Sequence, residues 1–365
     1  MTPLRVDLGE RSYDIVIGAG LLEEAGARMA PLLPGRRVII VTDETVAPLY
    51  LETLAASLTA ASIKHQHTVL PPGEKTKSFA GLEKLLTTLL ALAPDRRTTL
   101  IALGGGVIGD MTGFAASILL RGVDCIQVPT TLLAQVDSAV GGKTGINTPA
   151  GKNLIGSFYQ PRLVLTDTDT LGTLPRRELL AGYAEIVKYG IIRDAAFFEW
   201  LEKNGMKALA GNGPARAHMI LKSCAAKAAI VGQDERESGL RAILNFGHTL
   251  GHALEVETGF GPRLLHGEAV AIGMVLALRL SLMRGLCAAE DVARVEKHLK
   301  AAGLKTSPRE IQATWNAERL IGHCYQDKKA ASGGLTFILA QKIGKTIISH
   351  DISRPELAAL LADAL

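Results

Sequence analysis

The sequence predicts an α/β protein. An N-terminal domain with a Rossmann-like parallel sheet spans 1–175, and a mostly α-helical domain follows over 176–365. Three observations predict it. Short β-branched runs alternate with helical patterns through the first half, a glycine-rich turn follows one of those runs, and past Pro175 strand patterns give way to successive amphipathic helices. A chain of 365 residues is also longer than one core usually supports.

Val38-Ile39-Ile40-Val41-Thr42 reads as a strand ending in Asp43, Thr98–Leu103 as a second, Cys125–Pro129 as a third and Leu163–Thr166 as a fourth. Gly81–Leu90 carries apolar residues at helical spacing. From Arg176 to Lys300 the pattern is helical, a short β-like run covers Leu335–Leu339, and the C-terminus is helical again. The stretch from Ala269, AVAIGMVLALRLSLM, contains Arg279 and is too short to span a bilayer, so it reads as a buried helix.

Hydrophobic residues at 47% and charged residues at 21% fit a globular chain, and aromatics at 4% argue against a base-stacking surface. A net charge of +4, scattered, permits an acidic substrate and points to neither nucleic acid nor membrane. Cys125, Cys224, Cys287 and Cys324 form no C-x-x-C pair, and the N-terminus has no signal pattern, so a reducing cytoplasm is expected.

Gly104-x-Gly106-x-x-Gly109 follows a strand and opens a helix, where backbone N–H groups without neighbouring Cβ atoms can approach a pyrophosphate. The plainer reading is a tight turn packed on its helix. The next strand does not end in an acidic residue, since Asp124 falls at its start; Asp43 could hold a ribose instead. Gly141-Gly142-Lys143-Thr144 is not a P-loop, because position 137 is Asp rather than Gly and no strand leads into it.

A helix is expected from Gly239 to near Gly259, with Arg241, Asn245, His248, His252 and Glu255 on one face. The dull alternative is a solvated face. His266 arrives before the buried helix and can complete a set of imidazoles, and Glu185 and Lys188 stand one turn apart on an otherwise apolar helix. An ionised carboxylate there is costly unless paired or metal-bound, and three His/carboxylate ligands with an open position describe a catalytic zinc-type site. Thr249 occupies the place of the Glu in H-E-x-x-H, which disfavours peptide hydrolysis. Arg121, Thr130, Thr131, Asp137, Lys143, Lys152 and Asn153 concentrate polar groups in small-residue sequence, a pattern suited to carboxylate and phosphate.

Taken together, PPGEKTKS from Pro71, GGGVIGDMTGFAAS from Gly104, QVPTTLLAQVDSAVGGKTGIN from Gln127, GKNLIGSFYQP from Gly151, AGYAEIVKYG from Ala181, RAILNFGHTLGHALE from Arg241 and LHGEAVAIGM from Leu265 closely resemble the 3-dehydroquinate synthase family. Asp327-Lys328-Lys329 adds to the likeness, and Pro72 departs from it where Asp is commoner. The family is similar in fold to iron-dependent alcohol and glycerol dehydrogenases, with the active site between its two domains.

The resemblance implies a divalent metal, zinc or cobalt, on Glu185, His248 and His266. It implies NAD against Asp43, Gly73, Glu74, Lys75, Thr76, Lys77, Gly105, Gly106, Val107, Ile108, Gly109, Asp110, Thr130, Thr131, Lys143, Lys152, Thr170, Leu171, Gly172 and Thr173. Catalytic roles would fall to Asp137, Lys143, Lys152, Asn153, Lys188 and His252. The sugar-phosphate substrate would meet Arg121, Lys227, Arg241, Asn245 and Lys328, with Lys329 open as the alternative to the last. The implied reaction is the redox-neutral conversion of 3-deoxy-D-arabino-heptulosonate 7-phosphate to 3-dehydroquinate and phosphate, in a homodimer. The rivals are a net dehydrogenase on the same fold, a cyclase on another sugar phosphate, and a non-catalytic scaffold. DSAVGGKTGIN with Arg241 and Asn245 favours the dehydroquinate branch, and the complete ligand set argues against a scaffold.

Overall fold

The computed structural model describes residues 3–149, 151–326 and 335–365. It divides into two compact units, Met1–Leu174 with Arg216–Arg236, and Pro175–Ala215 with Glu237–Leu365. Lys328 and Lys329 lie outside the described residues.

The first unit runs β1 (Leu4–Val6), β2 (Tyr13–Gly18), α1 (Ala25–Met29), β3 (Arg37–Asp43), α2 (Ala47–Ala60), β4 (Lys64–Leu70), α3 (Phe79–Ala91), β5 (Thr99–Gly104), α4 (Gly106–Ile118), β6 (Cys125–Pro129), β7 (Lys143–Thr148), β8 (Gly151–Phe158) and β9 (Leu163–Asp167). Seven strands form one sheet in the order β1-β2-β9-β6-β5-β3-β4. It is parallel except for the β1–β2 pair at one edge.

The continuous apolar runs have a physical cause. Along β3, Val38 and Ile40 join a core with Leu54 and Leu58 of α2, while Ile39 and Val41 join another with Leu85 of α3 and Met111 of α4. Helices cover both faces, so every side chain of a central strand is buried and the sequence shows no alternation. The edge strand β4, KHQHTVL, pairs only with β3 and is largely exposed, which is why its sequence does not read as a strand.

The expected strands at 38–42, 98–103, 125–129 and 163–166 are present to within a residue or so. The antiparallel hairpin β7–β8 was not foreseen. Gly141 (φ 95) and Gly142 (φ 66) are left-handed in succession and turn the chain into β7, a path open to residues without Cβ.

The second unit opens with α5 (Arg176–Arg193) and α6 (Ala195–Leu209). The next helix, α7 (Gly213–Gln233), belongs from Arg216 onward with the first unit, where Cys224 Sγ donates to the Gln135 carbonyl at 3.2 Å. Helical periodicity reveals that a helix has a buried face but not what covers it. The chain continues through α8 (His248–Glu257), α9 (His266–Met283), α10 (Ala289–Ala302), α11 (Ala317–Gln326), the hairpin β10 (Phe337–Lys342) and β11 (Lys345–Ser349), and α12 (Arg354–Ala364). A core from α8, α9, α11, α12 and β10 includes Leu254, Ile272, Leu276, Ile321, Leu339 and Leu361. Among the described residues α9 is the one helix long and apolar enough to cross a membrane, and 78% of that stretch is buried inside the protein.

The helix expected from Gly239 to Gly259 is broken. Leu240–Asn245 is a 3-10 turn, Gly247 is left-handed at φ 79, and α8 begins at His248. A Cβ on Gly247 would stand 2.7 Å from the backbone nitrogen of Met274, so this position needs both glycine's conformation and its lack of bulk. Arg241 and Asn245 therefore do not share a helical face with His248, His252 and Glu255.

Candidate active site

In the first unit the sheet order creates a crevice of the kind in which open α/β sheets bind ligands. From β3 the chain goes outward to β4, returns past β3 to β5, and continues the other way to β6. β3 and β5 therefore flank a topological switch point, and ligands of open α/β sheets bind at the carboxyl ends of such strands. Those ends are Asp43 and Gly104, and α4 begins at Gly106 with no side chain capping its first amides.

The glycines also serve packing. A Cβ on Gly104 would meet Ile108 at 2.8 Å, and one on Gly109 would meet Gln127 Oε1 at 2.8 Å. Turn packing and the expected phosphate approach thus call for glycine in one loop. Thr130 and Thr131 follow β6 beside it: Thr130 donates its amide to the Gly104 carbonyl, and a Cβ on Gly105 would stand 3.1 Å from the Thr131 methyl. Asp43 Oδ1 accepts the amides of Thr45 at 2.8 Å and Val46 at 3.0 Å, which shapes the turn after β3.

Several expected cofactor residues meet in one polar network. Lys77 Nζ contacts Asp110 and donates to Asn153 Oδ1 at 2.5 Å. Burial raises the Asp110 carboxyl above its ordinary value against the opposing pull of Lys77. Asn147, which the sequence did not single out, joins the parts: its Nδ2 donates to Glu74 Oε1 at 2.7 Å and its Oδ1 accepts the Asn153 amide at 3.1 Å. Asn153 itself is left-handed at φ 55. Gly73, at φ 92, leads into the short turn of Glu74, Lys75 and Thr76.

Thr170–Thr173 forms a second loop, with Gln135 Nε2 donating to Thr170 Oγ1 at 3.1 Å and Tyr50 OH donating to the Thr170 carbonyl at 2.9 Å. Asp137 lies in a π-turn, Ala134–Ser138, a geometry frequent at functional sites. Its Oδ1 accepts from Lys227 Nζ at 2.5 Å and its carbonyl at 2.7 Å. Lys143 and Lys152 lie on β7 and β8.

Arg121 is the exception. It sits exposed past the C-terminus of α4, a helix of 13 residues. At 1.5 Å per residue this places it about 20 Å from the glycine loop at the other end.

In the second unit three helices supply the residues expected to hold the metal. Glu185 comes from α5, fully buried at 0% exposure, His248 from the start of α8, and His266 from the start of α9. Ligand atoms of the three lie within 4.8 Å of one another. Glu185 Oε1 is 3.5 Å from His248 Nε2 and 3.6 Å from His266 Nε2. A tetrahedral zinc with bonds of about 2.1 Å places its ligands about 3.4 Å apart, so the residues fit the ion and leave a fourth position. Glu185 Oε2 contacts Lys188 Nζ, which is itself buried.

Glycines let these helices approach. A Cβ on Gly267 would stand 1.9 Å from the Ala181 carbonyl oxygen, and one on Gly273 would stand 1.9 Å from that of Gly247. The first contact brings α9 onto α5 beside His266. The second brings α9 onto the segment leading into α8 beside His248.

His252, Glu255 and His266 form an overlapping group. Its geometry is that of a hydrogen bond, since His266 Nδ1 is 3.0 Å from Glu255 Oε2. Glu255 thus orients His266 and leaves Nε2 facing Glu185, while His248 Nδ1 lies 3.2 Å from the Phe246 carbonyl. Burial, with Lys188 next in effect, pushes the His248 imidazole down to about 3. Burial also pulls His266 down, but Glu255 and Glu185 together outweigh it and hold that ring up at about 10.

Arg241 is buried at 1% exposure, and Asn245 Nδ2 donates to Glu237 Oε1 at 2.9 Å. The His252 and His248 rings lie 5.2 Å apart, edge to face. Sequence reasoning placed Glu255 on the helix face without a role and missed Asn147 and Glu237. Glu255 and Asn147 lie within motifs otherwise assigned, and Glu237 lies just before one, so polarity was their only signal.

The comparisons with known proteins agree with this layout. A 3-dehydroquinate synthase N-terminal model matches residues 67–181 and the corresponding C-terminal model matches 182–330. The 3-dehydroquinate synthase of Rhodospirillum rubrum is 61% identical over 364 residues, covering 99% of this chain and 94% of its own length. Among solved structures, 2-epi-5-epi-valiolone synthase from Streptomyces hygroscopicus, with NAD+ and Zn2+ bound, superposes at TM-score 0.89 with 30% identity and 98% coverage of both chains. A 2-deoxy-scyllo-inosose synthase complexed with carbaglucose-6-phosphate, NAD+ and Co2+ gives 0.88 with 26% identity and full coverage of both, 100%. An iron-containing alcohol dehydrogenase from Thermococcus thioreducens shares the fold alone, at 0.73 and 17% identity over 96% of this chain and 98% of its own. The chain belongs to the 3-dehydroquinate synthase family.

Proposed function

We propose that this chain turns 3-deoxy-D-arabino-heptulosonate 7-phosphate into 3-dehydroquinate and phosphate, in the shikimate route to aromatic amino acids, with NAD and one divalent metal. The reaction is redox-neutral: oxidation at C5, β-elimination of phosphate, reduction at C5, and ring opening with an intramolecular aldol. The observation that carries the reading is the triad of Glu185, His248 and His266, three ligand atoms from three helices, one fewer than tetrahedral zinc takes. When bound, the metal supplies Lewis acidity at the C5 hydroxyl and NAD accepts and returns a hydride.

The protein's own residues bind, orient and screen. Glu185 offers an anionic oxygen, His248 a ring kept neutral by burial, and His266 a nitrogen aimed by Glu255. Lys188, held on the other oxygen of Glu185, brings a cation to the same point and suits a substrate hydroxyl or phosphate. Asp137, its charge balanced by Lys227, is the acid–base group for the hydroxyls. Arg241, Asn245 and His252 hold the substrate's anionic ends with Lys143, Lys152 and Asn153, and Lys328 completes that set. The glycine loop, Asp43, Thr130, Thr131 and Thr170–Thr173 hold NAD. Arg121, past the far end of α4 from the glycine loop, is the remaining cation of the expected substrate set.

The enzyme works in the cytoplasm as a homodimer, and the exposed Leu154, Ile155 and Phe158 of β8 supply an apolar strand for a second copy. Light scattering reads the dimer directly.

The deciding assay follows phosphate release and nicotinamide absorbance together, with zinc or cobalt, NAD and the heptulosonate phosphate. Phosphate release without net NADH is the expected result. NADH accumulating in step with substrate loss would overturn it in favour of a dehydrogenase.

A further inference from the structure

His266 is the first residue of α9 and is preceded by an irregular loop over 259–265, in which Gly259 (φ 78) and Phe260 (φ 50) are both left-handed. Such a loop has backbone carbonyls but no regular partners for them, so the place of His266 depends on what holds it.

Beside the Glu255 hydrogen bond and the Gly267–Ala181 contact, one side chain spans the loop, α9 and α5. Arg177, in the first turn of α5, directs Nε and NH2 at the two oxygens of Glu268, each at 2.7 Å. Its NH1 donates to the Pro262 carbonyl at 2.6 Å and its NH2 also to that of Arg263 at 3.2 Å. Glu268 Oε2 in turn accepts the Leu265 amide at 2.9 Å, closing the first turn of α9 around His266. The guanidinium thus ties the helix that carries Glu185 to the loop and helix start that carry His266. Neither Arg177 nor Glu268 belongs to the ligand set.

We infer that Arg177 and Glu268 are positioning residues of the metal site, a latch that fixes His266 against Glu185 and so sets metal affinity. The inference rests on the reading of Glu185, His248 and His266 as the metal triad. Its physical basis is the planar fork of arginine, which serves a carboxylate and two carbonyls at once, as the single ammonium of lysine cannot. A plain surface ion pair, by contrast, keeps most of its worth when arginine becomes lysine.

The test titrates Co2+ into the metal-free full chain and its Arg177→Lys and Glu268→Gln variants, reading cobalt's visible absorption and competition with a chelator. NAD affinity and metal-free thermal unfolding are measured in parallel. The parent is expected to bind one cobalt, and both variants to bind it about tenfold to a hundredfold more weakly with an altered absorption band. NAD affinity stays unchanged and the unfolding midpoint falls by a few degrees at most. Variants that keep the parent's cobalt affinity and band overturn the latch alone. Variants that lose cobalt, NAD and thermal stability together also overturn it, since the role is then general folding. A parent that binds no cobalt overturns the triad reading and the latch with it.

Discussion

The two units position functional groups in opposite ways. In the first, the candidate residues stand on strand ends and loops and hold one another through side-chain hydrogen bonds, as Lys77, Asp110, Asn153, Asn147 and Glu74 do. In the second, Glu185, His248 and His266 stand on helices whose backbones touch at glycines. The network has partners that can exchange and solvent nearby to replace a lost bond. The triad has less freedom, because Glu185 and His248 are buried and a backbone contact between helices cannot relax without moving a helix. Damage to the triad should therefore be severe and damage to the network graded.

The largest effect is expected from Glu185→Gln. The variant should fold, lose its metal and lose turnover altogether; metal analysis beside circular dichroism checks it, and full metal content would remove Glu185 from the ligand set. Next comes Gly267→Ala, which puts a methyl group 1.9 Å from the Ala181 carbonyl oxygen. Forcing α9 from α5 should cost about 1–3 kcal/mol and weaken the metal site too, read by urea unfolding and cobalt titration. An unchanged stability would show that the helices can part freely.

Asn147→Ala tests the network. It should raise the Michaelis constant for NAD or substrate several-fold while metal content stays at the parent level, and a metal loss would contradict the separation of the two regions.

The smallest effect concerns His298 in the second unit, whose Nε2 lies 2.9 Å from Tyr183 OH. Burial depresses its pKa, against a weaker opposing pull from Glu202. Below an unfolded value of about 6.5 the unfolded chain takes up a proton that the native ring resists. Stability contributed above that pH is therefore lost as pH falls toward the depressed native value. The loss is at most about 1.4 kcal/mol per pH unit, and His298→Gln should flatten it in urea titrations between neutral and mildly acid pH. An equal slope in both proteins would assign the acid loss to other groups.

Residue patterns by themselves determined the central strands, the buried character of α9, the glycine loop between β5 and α4, and the family. Each is a local or covalently ordered property: a strand buried on both faces must be apolar throughout, and a motif is read in chain order. Glu185 was legible because a lone carboxylate on an apolar helix demands a partner. Tertiary structure alone decided the rest. It broke the 239–259 segment at Gly247, because the close approach of Met274 is a long-range contact invisible to periodicity. It gave Glu255 its role through a hydrogen bond across 11 residues to another helix. It set Arg121 apart from the glycine loop, because a helix of 13 residues carries the chain from the carboxyl ends of the strands back toward their amino ends. It joined α7 to the first unit, because an amphipathic face records burial without naming its partner.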